Sequence, residues 1–306
     1  MIEYIVFWNG KTDWNDLSMI TKTAKVAAIH DLSGVGRCSL GVILPTMSVM
    51  GIQVCPVPTA VLSTHTGGFG DMALRDLSDY IIPALEHYKR LNYGFDCIYS
   101  GFLASKEQID HCLEFLSSYP NALKVVDPVM GDCGKPYKTY TPEMCSRMSE
   151  LVAVADIITP NPTEASMLLN EPMSFCSDDL SAQTAKSILA RHAELGPDIV
   201  VVTSATVGGK CCNIGFEKKT SRFWKVPFVH VPAQYSGTGD IFAAVLTGSI
   251  LKGDSLPIAM NRATAFLELL IKTTYSYGTD QREGVMLEQC LGFLSSYQTL
   301  CAYEKL

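Results

Sequence analysis

The sequence has no excess of positive charge. Lys and Arg total 24 against 31 Asp and Glu, a formal net charge of −7. No basic run or basic amphipathic helix relieves that balance, so a nucleic-acid partner, which needs a basic patch, is excluded. Long apolar runs are missing too. None approaches the ~18–20 residues that span a bilayer, and no membrane partner is expected. No basic region followed by an apolar stretch opens the chain, so no secretory signal is read there. The 11 cysteines form no Cys-x-x-Cys and no Cys/His metal spacing, and Cys211–Cys212 is a lone adjacent pair. Reduced structural thiols in a cytoplasmic protein are the expectation. The dinucleotide fingerprint GxGxxG is absent, and so are internal repeats and low-complexity segments.

What is present is apolar and evenly spread. The 306 residues are 47% hydrophobic and 18% charged, enough for one large core or two smaller ones. Residues 1–22 show no clear period around Trp8 and Trp14 and are set apart as an N-terminal extension without an assigned role. From residue 23 onward short apolar strands alternate with helical spacing. Strands are predicted at Lys25–His30, Ile52–Val57, Asp96–Phe102, Leu123–Val129, Asp156–Pro160 and Ile199–Thr203. Helices are predicted at Arg37–Met50, Met72–Arg90, Lys106–Ser118, from Pro142, from Pro162 and at Ala182–Leu195. Cys211–Phe216 and Arg222–Val231 read as an antiparallel pair. Helices after Asp240, at Pro257–Thr273 and near Glu283–Ser296 close the chain. Strands alternating with helices specify βαβ units and a parallel sheet. Ligands of such sheets bind outside the carboxyl ends of the strands. Asp31, Thr66, Phe102, Asp127, Asp132, Thr159, Asn161, Glu164, Thr203 and Asp240 all lie at or beyond the carboxyl ends of predicted strands.

One stretch organises these positions: Ser236-Gly237-Thr238-Gly239-Asp240-Ile241-Phe242-Ala243-Ala244. Glycines let the backbone turn sharply and approach a ligand. A helix starting near Asp240 would aim its unpaired N–H groups at an anion in that turn. An acid at such a mouth has two readings. It is an N-cap, or it is a base that takes a proton from a hydroxyl attacking phosphorus.

The stretch resembles the signature of the ribokinase-like small-molecule kinases. Four further blocks are similar to the pyridoxal/pyridoxamine, or vitamin B6, kinases of that superfamily: Leu62–Gly67, Val126–Asp132, Ala155–Ala165 and Val200–Ser204. The resemblance runs from about Val26 to the C-terminus. It implies a three-layer α/β/α ribokinase-like fold with a mostly parallel central sheet and helices on both faces. A small antiparallel edge in the C-terminal third and no separate lid domain are implied, with residues 23–306 as a single kinase domain. The implied reaction moves the γ-phosphoryl group of ATP to the 5′-hydroxymethyl of pyridoxal, pyridoxamine or pyridoxine.

By resemblance, Asp240 is the base, and Gly237, Thr238 and Gly239 hold the transferring phosphate. Asn161, Glu164, Thr159, Thr203 and Ser204 bind ATP, and Asp132 and Glu164 hold Mg2+, with a monovalent cation such as K+ possible. Asp31, Ser33, Gly34, His65, Thr66 and Phe102 contact the vitamin. A homodimer is implied. Read from residue chemistry alone, several of these keep a plainer alternative. Glu164 fits a helix-start acid, Thr159 and Thr203 fit sheet fillers, Phe102 fits the core, and His65 fits a loop histidine satisfied by its neighbours. Asp127 supports the site or caps the Pro-Val turn. One departure bears on the substrate. His30-Asp31-Leu32-Ser33-Gly34 is closer to the Asp-x-Ser-Gly-Gly opening of hydroxymethylpyrimidine kinases, which leaves a thiamin-pathway pyrimidine as the alternative acceptor. A non-catalytic vitamin-binding homologue and a sugar or nucleoside kinase are the remaining readings.

Overall fold

A computed structural model describes residues 23–137, 139–172, 179–295 and 302–306. The expected extension at 1–22 lies outside them, as does Ser296. The sheet's centre is the alternation predicted. β1 (Lys25–Val35, buried from Val26 to Asp31), β4 (Cys97–Ser100), β5 (Leu123–Val126) and β8 (Ile157–Ile158) are mostly apolar, and run parallel beside β10 (Ile199–Val207). Their side chains alternate between two cores, as the two-residue strand period requires. Ala27, Ile29, Ile98 and Val126 face one side, and Val26, Ala28, Tyr99 and Val125 the other.

Helices cover both faces. α2 (Ser78–Arg90), α3 (Lys106–Ser118), α4 (Pro142–Ala153), α5 (Pro162–Leu168) and α6 (Ala182–Glu194) supply the first core. α1 (Leu40–Val49), α7 (Thr238–Leu251) and α8 (Leu256–Tyr277) supply the second. Several helix starts are written in the sequence. Ser105, Thr141, Asn161 and Ser181 each accept a backbone N–H at the head of their helix, and Pro142 and Pro162 fill first-turn positions where a missing N–H costs nothing.

Among the described residues the strand order is β13 (Glu304–Lys305), β12 (Arg222–Pro227), β11 (Lys210–Glu217), β10, β8, β5, β4, β1, β2 (Gln53–Thr64) and β3 (Leu74–Asp76), with β9 (Asp179–Leu180) on β10. β11 (Lys210–Glu217) and β12 (Arg222–Pro227) form the expected antiparallel edge, extended by β13 (Glu304–Lys305). β6 (Gly131–Asp132) and β7 (Lys135–Pro136) make a small separate hairpin.

Three expectations are corrected. The first strand does not stop at His30. It continues to Val35 because β2 (Gln53–Thr64) pairs with it residue by residue, after a register shift between His30 and Leu32. Leu74–Asp76, expected inside a helix from Met72, is instead β3, an antiparallel edge on β2, and the helix begins at Ser78. The final helix breaks into a turn at Gln281–Glu283 and two short pieces, α9 (Leu287–Cys290) and α10 (Gly292–Ser295). Gly284 at φ 72° separates the turn from the rest.

Candidate active site

The strand ends and the start of α7 enclose a cavity of about 820 Å³, at the upper end of the usual size for small-ligand sites. The glycine turn forms its floor. Gly237, at φ 79° and ψ 0°, is left-handed and precedes α7, so Thr238, Gly239 and Asp240 are its first helical residues. Asp240 is therefore not the N-cap, and that reading of the sequence is corrected. The first bond of the helix runs from Ile241 N–H to Gly237 C=O, so the N–H groups of residues 238–240 have no carbonyl four residues back to meet. A side chain on Gly237 would collide with the Arg37 carbonyl at 2.2 Å, whereas one on Gly239 would meet nothing within 4 Å. The turn is thus tight beneath and open above, where an anion would lie.

Asp240 lines the cavity with its side chain 13% exposed. Its Oδ2 accepts the Ser39 backbone N–H at 2.6 Å, and its Oδ1 lies 3.2 Å from His30 Nε2. The other ring nitrogen, Nδ1, lies 2.9 Å from Asp31 Oδ1. The Asp31 backbone N–H also points at Nδ1, at 3.0 Å. A carboxylate against a bare lone pair is the costlier clash of the two, so the ring is best described as an imidazolium donating to both acids. Burial disfavours that charge, but the Asp240 and then the Asp31 carboxylates outweigh it and raise His30 to about 10. Burial alone would raise Asp31, but the His30 and Ser33 bonds bring it below the usual carboxylate range.

A second group of acids lies across the cavity. Asp127 is raised to about 7 by burial and then by the Asp240 charge. Glu164 is raised well above its ordinary value by burial and then by Asp127. Glu164 closes a capping box: its Oε2 accepts the Asn161 N–H at 2.9 Å and its Oε1 accepts the Met130 N–H at 3.1 Å. Asn161 also ties down the neighbouring hairpin by donating to the Gly131 carbonyl at 2.8 Å. Asp132 is exposed and accepts the Cys133 N–H.

The remaining expected residues divide. Thr159, Thr203, Ser204, His65, Thr66 and Phe102 line the cavity with the acids. Ser204, at φ 55°, is held by a bond from its N–H to Asn213 Oδ1. Phe102 is 8% exposed and edge-on to Tyr140, both a core residue and an aromatic wall. Ser33 and Gly34 do not reach the cavity. They lie in the β1–β2 pairing, with the Ser33 hydroxyl donating to Asp31 Oδ2. His65 is satisfied by main chain on both nitrogens: Nδ1 accepts the Gly67 N–H, and Nε2 donates to the Arg282 carbonyl at 2.7 Å. It offers the cavity a ring face and no free polar atom.

Sequence reasoning missed His30 as a partner of Asp240, the Ser39 amide, Tyr137, Arg282, the segment from Phe228 to Tyr235, and the α8 residues Leu267 and Ile271. Only His30 carried a signal, a histidine beside an acid at the end of an apolar strand.

The layered α/β fold and the Gly-Thr-Gly-Asp turn at a helix start define a ribokinase-like kinase, an enzyme that moves a phosphoryl group to an alcohol. The family described as phosphomethylpyrimidine kinase matches residues 44–285. The chain belongs to that family, which is similar here to pyridoxal kinases in particular. It is 32% identical to a pyridoxal kinase of Arabidopsis thaliana over 276 residues, 84% of each chain. A Bacteroides thetaiotaomicron protein provisionally assigned as a phosphomethylpyrimidine kinase, crystallised with pyridoxal, is 41% identical with a TM-score of 0.88. The match covers 93% of this chain and 100% of that one. A pyridoxal kinase from Lactobacillus plantarum is 30% identical with a TM-score of 0.81, covering 89% and 96%.

Proposed function

We propose that the chain phosphorylates the 5′-hydroxymethyl group of B6 vitamers with ATP. The observation that carries the reading is Asp240, an acid fixed at the mouth of a helix-start anion turn and open to a cavity that a flat ring can share with a nucleotide. The pyridoxal found with the Bacteroides protein favours B6 over the pyrimidine acceptor.

In this reading the alcohol oxygen attacks the γ-phosphorus and the bond to the β-phosphate oxygen breaks. The alcohol proton passes to Asp240. The N–H groups of 238–240 stabilise the travelling phosphoryl group. Phe102 supplies the ring with an aromatic wall, and the His65 ring closes the far side. Thr159, Asn161, Thr203 and Ser204 face the nucleotide.

A magnesium ion fits the residues present. Mg2+ takes one or two carboxylates and otherwise waters and phosphate oxygens. The exposed Asp132 and the Glu164 carboxyl across the hairpin are such a set. No group of three His, Cys, Asp or Glu side chains converges among the described residues, and such an ion needs none. When bound it would neutralise phosphate charge, and Asp127 and Glu164, each pushed up by burial and by a neighbouring acid, would release their protons to solvent as it binds.

A cytosolic setting is supported by nine free thiols among the described residues, and no described helix is long and apolar enough to cross a membrane. A homodimer is supported by Leu32 and Val61, exposed apolar side chains paired on one face of β1 and β2; light scattering on the purified chain tests it. The function is tested by turnover on pyridoxal, pyridoxamine, pyridoxine and the aminopyrimidine alcohol side by side. We expect the highest kcat/KM on a B6 vitamer, and faster turnover of the pyrimidine would overturn the reading.

A further inference from the structure

The contacts around His30 carry an inference beyond the base itself, and it rests on the reading of Asp240 as that base. β1 and α7, 210 residues apart in sequence, meet through one ring. His30 is 1% exposed. Its nitrogens reach carboxylates in opposite directions, at 2.9 Å to Asp31 and 3.2 Å to Asp240. Asp31 is held in turn by the Ser33 hydroxyl at 3.1 Å. The slot is cut to the imidazole. A Cβ on Gly101 would stand 2.1 Å from His30 Cδ2 and 2.2 Å from Nε2, so only glycine there admits the ring. Gly101 has no positive φ, and its lack of a side chain serves space rather than backbone freedom.

We propose that His30 is a positioning residue for phosphoryl transfer: clamped between Asp31 and Asp240, its ring aims the Asp240 carboxylate at the mouth of the phosphate turn. The Ser39 amide fixes one oxygen of Asp240 and His30 the other. A carboxylate held at both oxygens cannot swing, and each oxygen keeps a second lone pair for the substrate hydroxyl. Asp240 shares its surroundings with the acid Asp127 and the Cys38 thiol, both of which feel its charge. The groups facing His30 are Asp31 on its own strand, Asp240 from α7, Asp127 after β5 and the Tyr99 ring from β4. Among these His30 is the sole cation. The alcohol proton ends on Asp240 and the His30 protons stay where they are, so the ring is no relay.

The test is a double-mutant cycle on His30→Gln and Asp240→Asn, which asks whether two residues act as one unit. Glutamine keeps a donor and loses the charge. We expect His30→Gln to lower kcat about tenfold or more with KM for ATP held within about twofold. In the Asp240→Asn background the same change should cost no more than about twofold. Gly101→Ala, which leaves His30 in the chain but displaces its ring, should lower kcat the same way with KM for ATP again held. Additive losses, or a rise in KM for ATP that accounts for the fall in rate, would overturn the proposal. If Asp240→Asn is slow while His30→Gln keeps full rate, this inference alone fails. If Asp240→Asn itself keeps full rate, the reading of the base fails and takes this one with it. Should the variants not fold, the 15N imidazole spectrum of the unaltered protein at pH 8 decides. One of the six histidines must then carry protons on both ring nitrogens, and six neutral rings would contradict the clamp.

Discussion

Gly237 shows how narrow the tolerances of the site are. It sits at φ 79° with the Arg37 carbonyl 2.2 Å from where a Cβ would stand and Cys38 Cα at 2.8 Å. An alanine there meets both a left-handed backbone and a hard contact, with backbone strain of about 1–3 kcal/mol. Gly237→Ala is expected to lower the melting temperature and cut kcat at least tenfold, read by calorimetry and by a coupled ADP assay. Gly239→Ala, with open space above it, should leave the melting temperature nearly unchanged while weakening nucleotide binding. Equal melting losses in the two variants would contradict this division. His65 makes the opposite point. Because both its nitrogens are spent on main chain, His65→Ala should loosen the segment from His65 to Phe69 against Arg282. KM for the vitamer should rise with kcat little changed. A loss confined to kcat would show that the ring takes part in the chemistry.

At the scale of the element, the end of β5 brings a testable pH dependence. Asp127 is raised from 3.8 to about 7, so between those values the folded chain binds a proton that the unfolded chain does not. Such a group contributes stability that is fully present below the unfolded value and is lost as pH rises through the folded one. Asp127→Asn should therefore match the parent near pH 4 and become progressively more stable than it toward pH 8. The gain should reach a few kcal/mol, accumulating at about 1.4 kcal/mol for each pH unit between the unfolded and folded values. A difference that is flat with pH, measured by chemical denaturation, would contradict the burial argument. Helices with side-chain caps were legible almost to the residue, since Ser105, Thr141, Asn161 and Ser181 act within one turn of the chain. The far half of β1 was not. Leu32-Ser33-Gly34-Val35 reads locally as a glycine loop, and it is extended only because Val61, Leu62 and Thr64 lie beside it. Pairing between distant segments overrode the local text.

Across the whole molecule, the strand order gathers the ends of β1, β5, β8 and β10 with the head of α7. That gathering was legible because a parallel sheet presents its strand ends on one side. Residues that follow the strands can therefore be grouped from the order of elements alone. The pairing across the gap cannot. Nothing local marks His30 as the neighbour of Asp240, or the Ser39 amide as its second hold. Of the segments that close the cavity, Phe228 to Val231 reads as strand but lies beyond the end of β12, and Ala233 to Tyr235 and the neighbourhood of Arg282 have no periodic pattern to read. Asp240 taking the alcohol proton while the turn below it holds the phosphoryl group is the step on which the kinase chemistry depends. The direct measurement is single-turnover phosphorylation of pyridoxal by Asp240→Asn at saturating ATP, with pyridoxal affinity measured on the same preparation. We expect a rate about a hundredfold or more below the parent with affinity within a few fold, and an undiminished rate would contradict the assignment of the base.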